Sequence, residues 1–286
     1  MSHRKRFRLR LPSRTLVLGE RTLIMGVLNV TPDSFSDGGK FLHPEAAVER
    51  ALAMEREGAD IVDVGGESSR PGSKPLRADE EQDRILPVLR MLRGKLKIPI
   101  SVDTQKAEVA QAAISAGAEI VNDISALRFD SQLADLVARR RTGIILMHMR
   151  GKPQMMQKGP FAPDVMRDVT KSLREALRRA KRAGIERLQI LLDPGIGFGK
   201  NYGQNFEILA RLPELGHLRY PVVVGTSRKA FIGAALGDAP AEQRVWGTAA
   251  TVAASIFAGA HIVRVHDVKE MVQVAKVADR IAAARS

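Results

Sequence analysis

The sequence predicts a one-domain α/β protein, a (β/α)8 TIM barrel of parallel strands, on three observations. Eight apolar runs of strand length recur along the 286 residues with no break in composition. The runs are nearly continuous in Ile, Val and Leu, as strands covered on both faces must be. Each is followed by a stretch with helical spacing. Eight β-then-α units fit a closed barrel better than a doubly wound open sheet, which ordinarily has fewer strands and a phosphate loop after the first.

The first strand is read over 23–29, L-I-M-G-V-L-N, and the others over 60–64, 98–103, 119–124, 142–147, 188–193, 221–225 and 261–265. Helices are read over 44–58, 79–94, 105–117, 131–141, 164–183, 204–212, 241–258 and 268–284. The second opens on D-E-E and the third follows Asp103-Thr104, both good starts where the helix dipole favours acids and short polar caps. Gly58, Gly117, Gly143, Gly184 and Gly259 stand shortly after helices, where a left-handed cap favours glycine. Residues 1–21 precede the first strand as a short basic extension to the barrel of 22–286, and are expected to cover its closed end.

With 44% hydrophobic residues the chain can bury a full core. No apolar stretch reaches the ~18 residues of a membrane span, and S-H-R-K-R-F-R-L-R-L alternates charged with apolar residues where a signal peptide has an apolar block, so cytoplasmic residence is expected. Absence of cysteine excludes disulfides, thiolate metal sites and cysteine nucleophiles. The net charge of +13 raises the question of nucleic acid, but residues 1–21 hold seven Lys/Arg against one Glu, and the rest reads as solvated helix faces. Two Tyr and one Trp offer little for base stacking. The expected partners are therefore small anionic substrates, with no nucleic acid and no membrane.

In a parallel barrel the active site is built at the C-terminal strand ends. Here the strands end on Asn29, Asp63, Asp103, Asn122 with Asp123, His148, Asp193, the Ser227-Arg228-Lys229 group, and Arg264 with His266. A cap or loop hydrogen bond would explain any one of these; eight together point at one mouth. Carboxylates and amides suit a flat heterocycle with N–H donors, while Arg and His suit a phosphate or carboxylate. The long loops 29–39 and 65–73 carry Phe35 and Arg70 and read as lids. L-D-P-G-I-G-F-G-K at 192–200 only imitates a nucleotide loop. A Walker loop needs Gly at 194 and Ser or Thr at 201, where this chain has Pro194 and Asn201, and Lys200 stands where a dinucleotide fingerprint needs its third glycine. On strand alternation His148 faces away from Met147 and Met149 and reads as structural.

The motifs M-G-V-L-N-V-T-P-D-S-F-S-D-G-G, V-D-V-G-G-E-S-S-R-P-G-S, S-V-D-T-Q-K, V-N-D-I, L-M-H-M-R-G, D-P-G-I-G-F-G-K, S-R-K and R-V-H-D-V occur in this order. Over residues 20–285 the chain thereby closely resembles the dihydropteroate synthase family of pterin-binding enzymes. The resemblance implies a transferase of folate biosynthesis that joins 7,8-dihydropterin-6-ylmethyl diphosphate to 4-aminobenzoate. It implies a pterin pocket of Asp103, Asn122, Asp193 and Lys229 with Met147 and Phe198 as walls, and a diphosphate site of Asn29, Ser69, Arg70, Arg264 and His266. Phe35, Ser69 and Pro71 would close on the aminobenzoate, Asn29 would be the Mg2+ ligand, and Lys229, Asp103, Arg264 and His266 would carry the chemistry. A homodimer through the last helices is also implied. The family commonly has Thr at Ser69 and often Ser at Ala230, which bears on affinity for aminobenzoate and its sulfonamide mimics. The competing readings are a pterin-binding methyltransferase-type domain and a non-enzymatic anion or nucleic-acid binder led by the basic extension.

Overall fold

F-R-L-R, which alternates apolar with charged residues, and the β-branched and apolar T-L-V-L pair as an antiparallel hairpin, β1 (Phe7–Arg10) and β2 (Thr15–Leu18), with Phe7 opposite Leu18 and Arg10 opposite Thr15. The structure, a computed structural model, describes residues 4–31, 44–68, 73, 75–151, 156 and 159–284. After the hairpin come eight barrel strands: β3 (Leu23–Asn29), β4 (Ile61–Gly65), β5 (Ile100–Asp103), β6 (Ile120–Asp123), β7 (Gly143–Met147), β8 (Ile190–Asp193), β9 (Val223–Val224) and β10 (Ile262–Val265). All neighbours pair parallel in the order β8-β7-β6-β5-β4-β3-β10-β9, and a bridge between Leu192 and Val222 closes the ring. Every barrel strand lies where the apolar runs placed it, while the hairpin is not among them.

Around the ring lie α1 (Pro44–Glu57), α2 (Ala78–Leu92), α3 (Ala107–Ser115), α4 (Gln132–Arg140), α5 (Val165–Arg182), α6 (Tyr202–Ala210), α7 (Ala230–Ala235), α8 (Val245–Phe257) and α9 (Val268–Ala284). Most helix ends shift by one or two residues from the sequence reading, and two differences have a local cause. α6 begins before 204 because Asn201 caps it, its side chain accepting from the Gln204 N–H at 2.8 Å. The span read as one helix over 241–258 is a short 3-10 turn, Ala241–Gln243, followed by α8, and the six-residue α7 precedes both. α7 is too short to show a helical period. It is held by Arg244, which lies against Gly233 where a Cβ would come within 2.5 Å of Nε, and donates to the carbonyls of Ala239 and Arg228.

The barrel's inside and outside are separate cores. The outward faces pack on the helices, while inward Met25, Ile61, Ile120, Ile145, Leu191, Val223 and Ile262 form one cluster with Leu9, Leu11 and Leu18. The hairpin therefore plugs the N-terminal end of the barrel and shares its apolar floor. Leu9 is fully buried there, and Leu9→Ala is expected to lower stability by about 2–5 kcal/mol in urea titration, through lost contact and an unfilled cavity. No helix among the described residues is long and apolar enough to cross a membrane.

Because strand side chains alternate, one inward step along a strand is two residues. One step above the floor the interior turns polar: Ile61 gives way to Asp63, Ile120 to Asn122, Leu191 to Asp193 and Ile262 to Arg264. On β5 the inward positions are Ser101 and Asp103, in register with Asp63 and Gly65. An oily floor beneath a charged upper layer is what sets the site at the C-terminal rim.

Candidate active site

Arg264 spans the barrel interior. Its Nε donates to Asp63 Oδ2 at 2.6 Å and its Nη2 to Asp103 Oδ2 at 2.8 Å, while Asn122 Nδ2 donates to the same Asp63 oxygen at 3.0 Å. One guanidinium fork thus ties β10 to β4, β5 and, through Asp63, β6. Burial works against the Arg264 charge, but Asp63, Asp103 and Asp193 outweigh it and hold the guanidinium above its ordinary value. Asp103 is pushed up to about 7 by burial, with Arg264 opposing and Asp63, Glu81 and Asp123 adding to the rise. Asp63 itself is wholly buried. The sequence reading noted it at a strand end and gave it no role; the signal was a carboxylate two residues beyond Ile61 on an inward face.

Across the mouth, Asp193 ends β8 and is 5% exposed. Its Oδ1 accepts the Gly195 N–H at 2.6 Å. Gly195 has φ +66°, and a Cβ there would lie 1.8 Å from the His148 carbonyl oxygen, so only glycine permits this turn. Gly197, φ +84°, lets the chain pass against the Lys229 side chain. Lys229 Nζ in turn donates to the Ile196 carbonyl and sits 4.8 Å from the centroid of the Phe198 ring. Burial lowers the Lys229 ammonium to about 8 and raises the Asp193 carboxyl, and the attraction between the two groups resists both shifts. Met147, in register with Asp193, packs with Ile124, Met149 and Met156 against Phe198 in a small apolar cluster. That cluster gives the mouth an apolar side.

The motifs S-R-K and R-V-H-D are stitched together in pairs. His266 donates its backbone N–H to Ser227 Oγ at 3.1 Å, and its Nδ1 lies 3.0 Å from the same hydroxyl. Arg228 turns outward on a positive φ of 59° and grips Asp267. Lys229 and His266 are thereby set on the pocket side of neighbouring strand ends. At the rim, Asn29, Gly65, Asp103 and Asn122 form one register row across β3 to β6, so that only a glycine separates Asn29 from Asp103.

His148 does not face the mouth. It is 2% exposed, with Nε2 at 3.2 Å from Asp168 Oδ2 and Nδ1 at 2.8 Å from Lys200 Nζ; burial and Lys200 together lower its imidazole to about 4. Phe35, Ser69, Arg70 and Pro71 lie outside the described residues. The stem leading to the last three is anchored, since Lys106 binds Glu67 and Glu81, and Arg84 donates to the Gly66 carbonyl at 3.0 Å. Asp103, Asn122, Asp193, Lys229, Arg264, Met147 and Phe198, read from motifs scattered along the chain, are thus brought to one barrel mouth.

A closed parallel barrel with a carboxylate and an ammonium facing each other on one side of its mouth and an arginine fork on the other defines an enzyme built for a flat heterocycle carrying an anion. Residues 25–266 match the pterin binding enzymes as a family. The chain is 47% identical to the dihydropteroate synthase of a Synechocystis strain over 92% of its own length and 91% of that protein's, and 46% identical to the Bacillus subtilis dihydropteroate synthase over 91% and 88%. It superposes on the Yersinia pestis dihydropteroate synthase in complex with a sulfonamide drug with a TM-score of 0.91 at 41% identity, covering 97% of this chain and all of that one. The Xanthomonas albilineans dihydropteroate synthase in complex with 7,8-dihydropteroate gives 0.86 at 41% identity, over 96% and 99%. The chain belongs to the pterin-binding enzyme family, among its dihydropteroate synthases.

Proposed function

We propose that the enzyme condenses 7,8-dihydropterin-6-ylmethyl diphosphate with 4-aminobenzoate to 7,8-dihydropteroate and diphosphate. The observation that carries this is the pairing in one mouth of Asp193 and Lys229 with Asp103 and Arg264. The Asp193 carboxylate accepts from the pterin's amino and ring N–H groups, a two-donor edge that a carboxylate matches with two oxygens. Lys229 donates to the carbonyl oxygen and a ring nitrogen. Asn122 and Asp103 complete the polar edge, with Met147 and Phe198 against the ring. The diphosphate lies toward Arg264, His266 and Asn29, with Ser69 and Arg70 from the β4–α2 loop.

Reaction begins with heterolysis of the bond between the methylene carbon and the diphosphate oxygen, the electron pair leaving with the diphosphate. Arg264 and His266 stabilise the developing negative charge, and the electron-rich dihydropterin delocalises the cation left behind, beside Asp103. The arylamine is a weak nucleophile, so a path that first makes a strong electrophile suits it. Its nitrogen then attacks the methylene carbon and loses a proton. Phe35 and Pro71 close around the benzoate and keep water from the cation.

A divalent ion fits this donor set only in one form. Among the described residues no three His, Asp or Glu side chains gather as a metal cage. Asn29 at the end of β3 offers one amide oxygen near the diphosphate side, which suits Mg2+, an ion that keeps waters and takes phosphate oxygens from its substrate. When bound it would neutralise diphosphate charge. The same reading pairs two chains through the last helices, where Trp246 is 80% and Val277 61% exposed.

The methyltransferase-type reading is not favoured, because a methyl donor brings no diphosphate to the Arg264 and His266 side of the mouth. The test is release of diphosphate from purified enzyme given both substrates and Mg2+. Stoichiometric diphosphate and dihydropteroate are expected; no release would overturn the proposal.

A further inference from the structure

The glycine loop that carries Asp193 and Phe198 closes on Lys200, which is 1% exposed and heads the largest fully buried side chains of the described residues. Its Nζ donates to the Gly195 carbonyl at 2.6 Å, the Phe198 carbonyl at 3.0 Å and His148 Nδ1 at 2.8 Å. An ammonium has three protons, and these are its three nearest acceptors, with the His148 carbonyl farther off at 3.4 Å. Because Nδ1 accepts, the His148 proton sits on Nε2 and is directed at Asp168 Oδ2, which in turn is held by Arg150 through the other carboxylate oxygen at 3.2 Å. A relay of hydrogen bonds thus runs from the surface at Asp168 to the inside of the loop.

Burying a lysine is costly, and burial drives the Lys200 ammonium well below its ordinary value. An apolar side chain of similar length would fill the same volume without that cost. What it could not do is turn the Gly195 and Phe198 carbonyls inward. With those two facing Lys200, the Ile196 carbonyl between them faces the other way and receives Lys229. The Phe198 ring is left lying beside the Lys229 ammonium.

We infer that Lys200, seated on His148, is a positioning residue for the pterin subsite: it clamps the glycine loop in the conformation that presents Asp193, the Ile196 carbonyl and the Phe198 ring to the pterin and to Lys229. The inference rests on the reaction proposed above. Every group the clamp controls lies on the pterin side of the mouth, which gives it a kinetic signature. In Lys200→Met the KM for pterin diphosphate is expected to rise at least tenfold while the KM for 4-aminobenzoate stays within twofold of the wild type. A role in folding alone would lower Vmax per milligram and leave both KM values unchanged. That result in a folded variant, judged by circular dichroism, would overturn the clamp.

If Lys200→Met yields no folded protein, His148→Leu decides, since it keeps the lysine and removes one acceptor. A pterin diphosphate KM raised threefold or more supports the clamp, and an unchanged one overturns it. Should the wild type turn nothing over, the reaction falls, and calorimetric affinity for 6-hydroxymethylpterin still tests the clamp: a tenfold loss in Lys200→Met supports it, equal affinity ends it.

Discussion

Asp193→Asn is expected to lower kcat/KM for pterin diphosphate by about three orders of magnitude, roughly 4 kcal/mol of transition-state binding, with the fold intact. The two side chains have nearly the same shape. The Gly195 N–H, 2.6 Å from Oδ1, will keep the asparagine's one oxygen for itself. The amide nitrogen is then left pointing at the pterin's own N–H donors, so the site loses an acceptor and gains a clash of like dipoles. A second effect acts through Lys229. Its ammonium, already lowered to about 8 by burial, is sustained by the Asp193 charge. Since the protonated lysine is the proposed donor to the pterin, wild-type kcat/KM should fall as pH rises through about 8, and in Asp193→Asn that fall should begin at lower pH. Initial rates across pH 6–9 check both. A loss below tenfold would remove Asp193 from the pterin edge.

The sequence carried more of the site than of its wiring. The eight barrel strands were readable because both faces are buried, which writes each as an unbroken apolar run, and the strand-end rule then drew Asp103, Asn122, Asp193, Lys229 and Arg264 to one rim. The N-terminal hairpin was hidden for the opposite reason: in F-R-L-R every second residue is an arginine, so the charge masked the face that places Leu9 on the barrel floor. α7 escaped notice because six residues cannot display a period of 3.6. The bonds that organise the site were out of reach altogether. Arg264 meets Asp103 and Asp63 across 161 and 201 residues, and the clamp joins Lys200 to His148 across 52. No local pattern encodes such pairs; they exist only once the ring has closed. Lys200 shows the limit most clearly, since a lysine after three glycines invites a phosphate in one dimension and turns out to bind its own loop in three.

Arg264→Leu should carry the largest combined effect, because the one cation serves two ends. It removes the one cation among the described residues that hydrogen-bonds both Asp63, which has no exposed surface, and Asp103. Leaving buried carboxylates without their partner costs about 3–5 kcal/mol. The sign with pH follows from which form the variant tolerates. Burial already pushes Asp103 up to about 7 against the Arg264 charge, and without the guanidinium it rises further above its unfolded value, so the stability deficit grows as pH rises and shrinks on acidification as that carboxylate binds a proton. Urea unfolding at pH 5 and pH 8 should show the larger deficit at pH 8; an equal deficit at both would mean that the fork contributes packing and not charge. Diphosphate release should fall at least a thousandfold at either pH, since Arg264 is also the group proposed to meet the leaving anion. Adding Asp63→Asn to Arg264→Leu separates the two roles: removing one orphaned charge should recover much of the stability at pH 8, while the reaction, still without its anion partner, should not return.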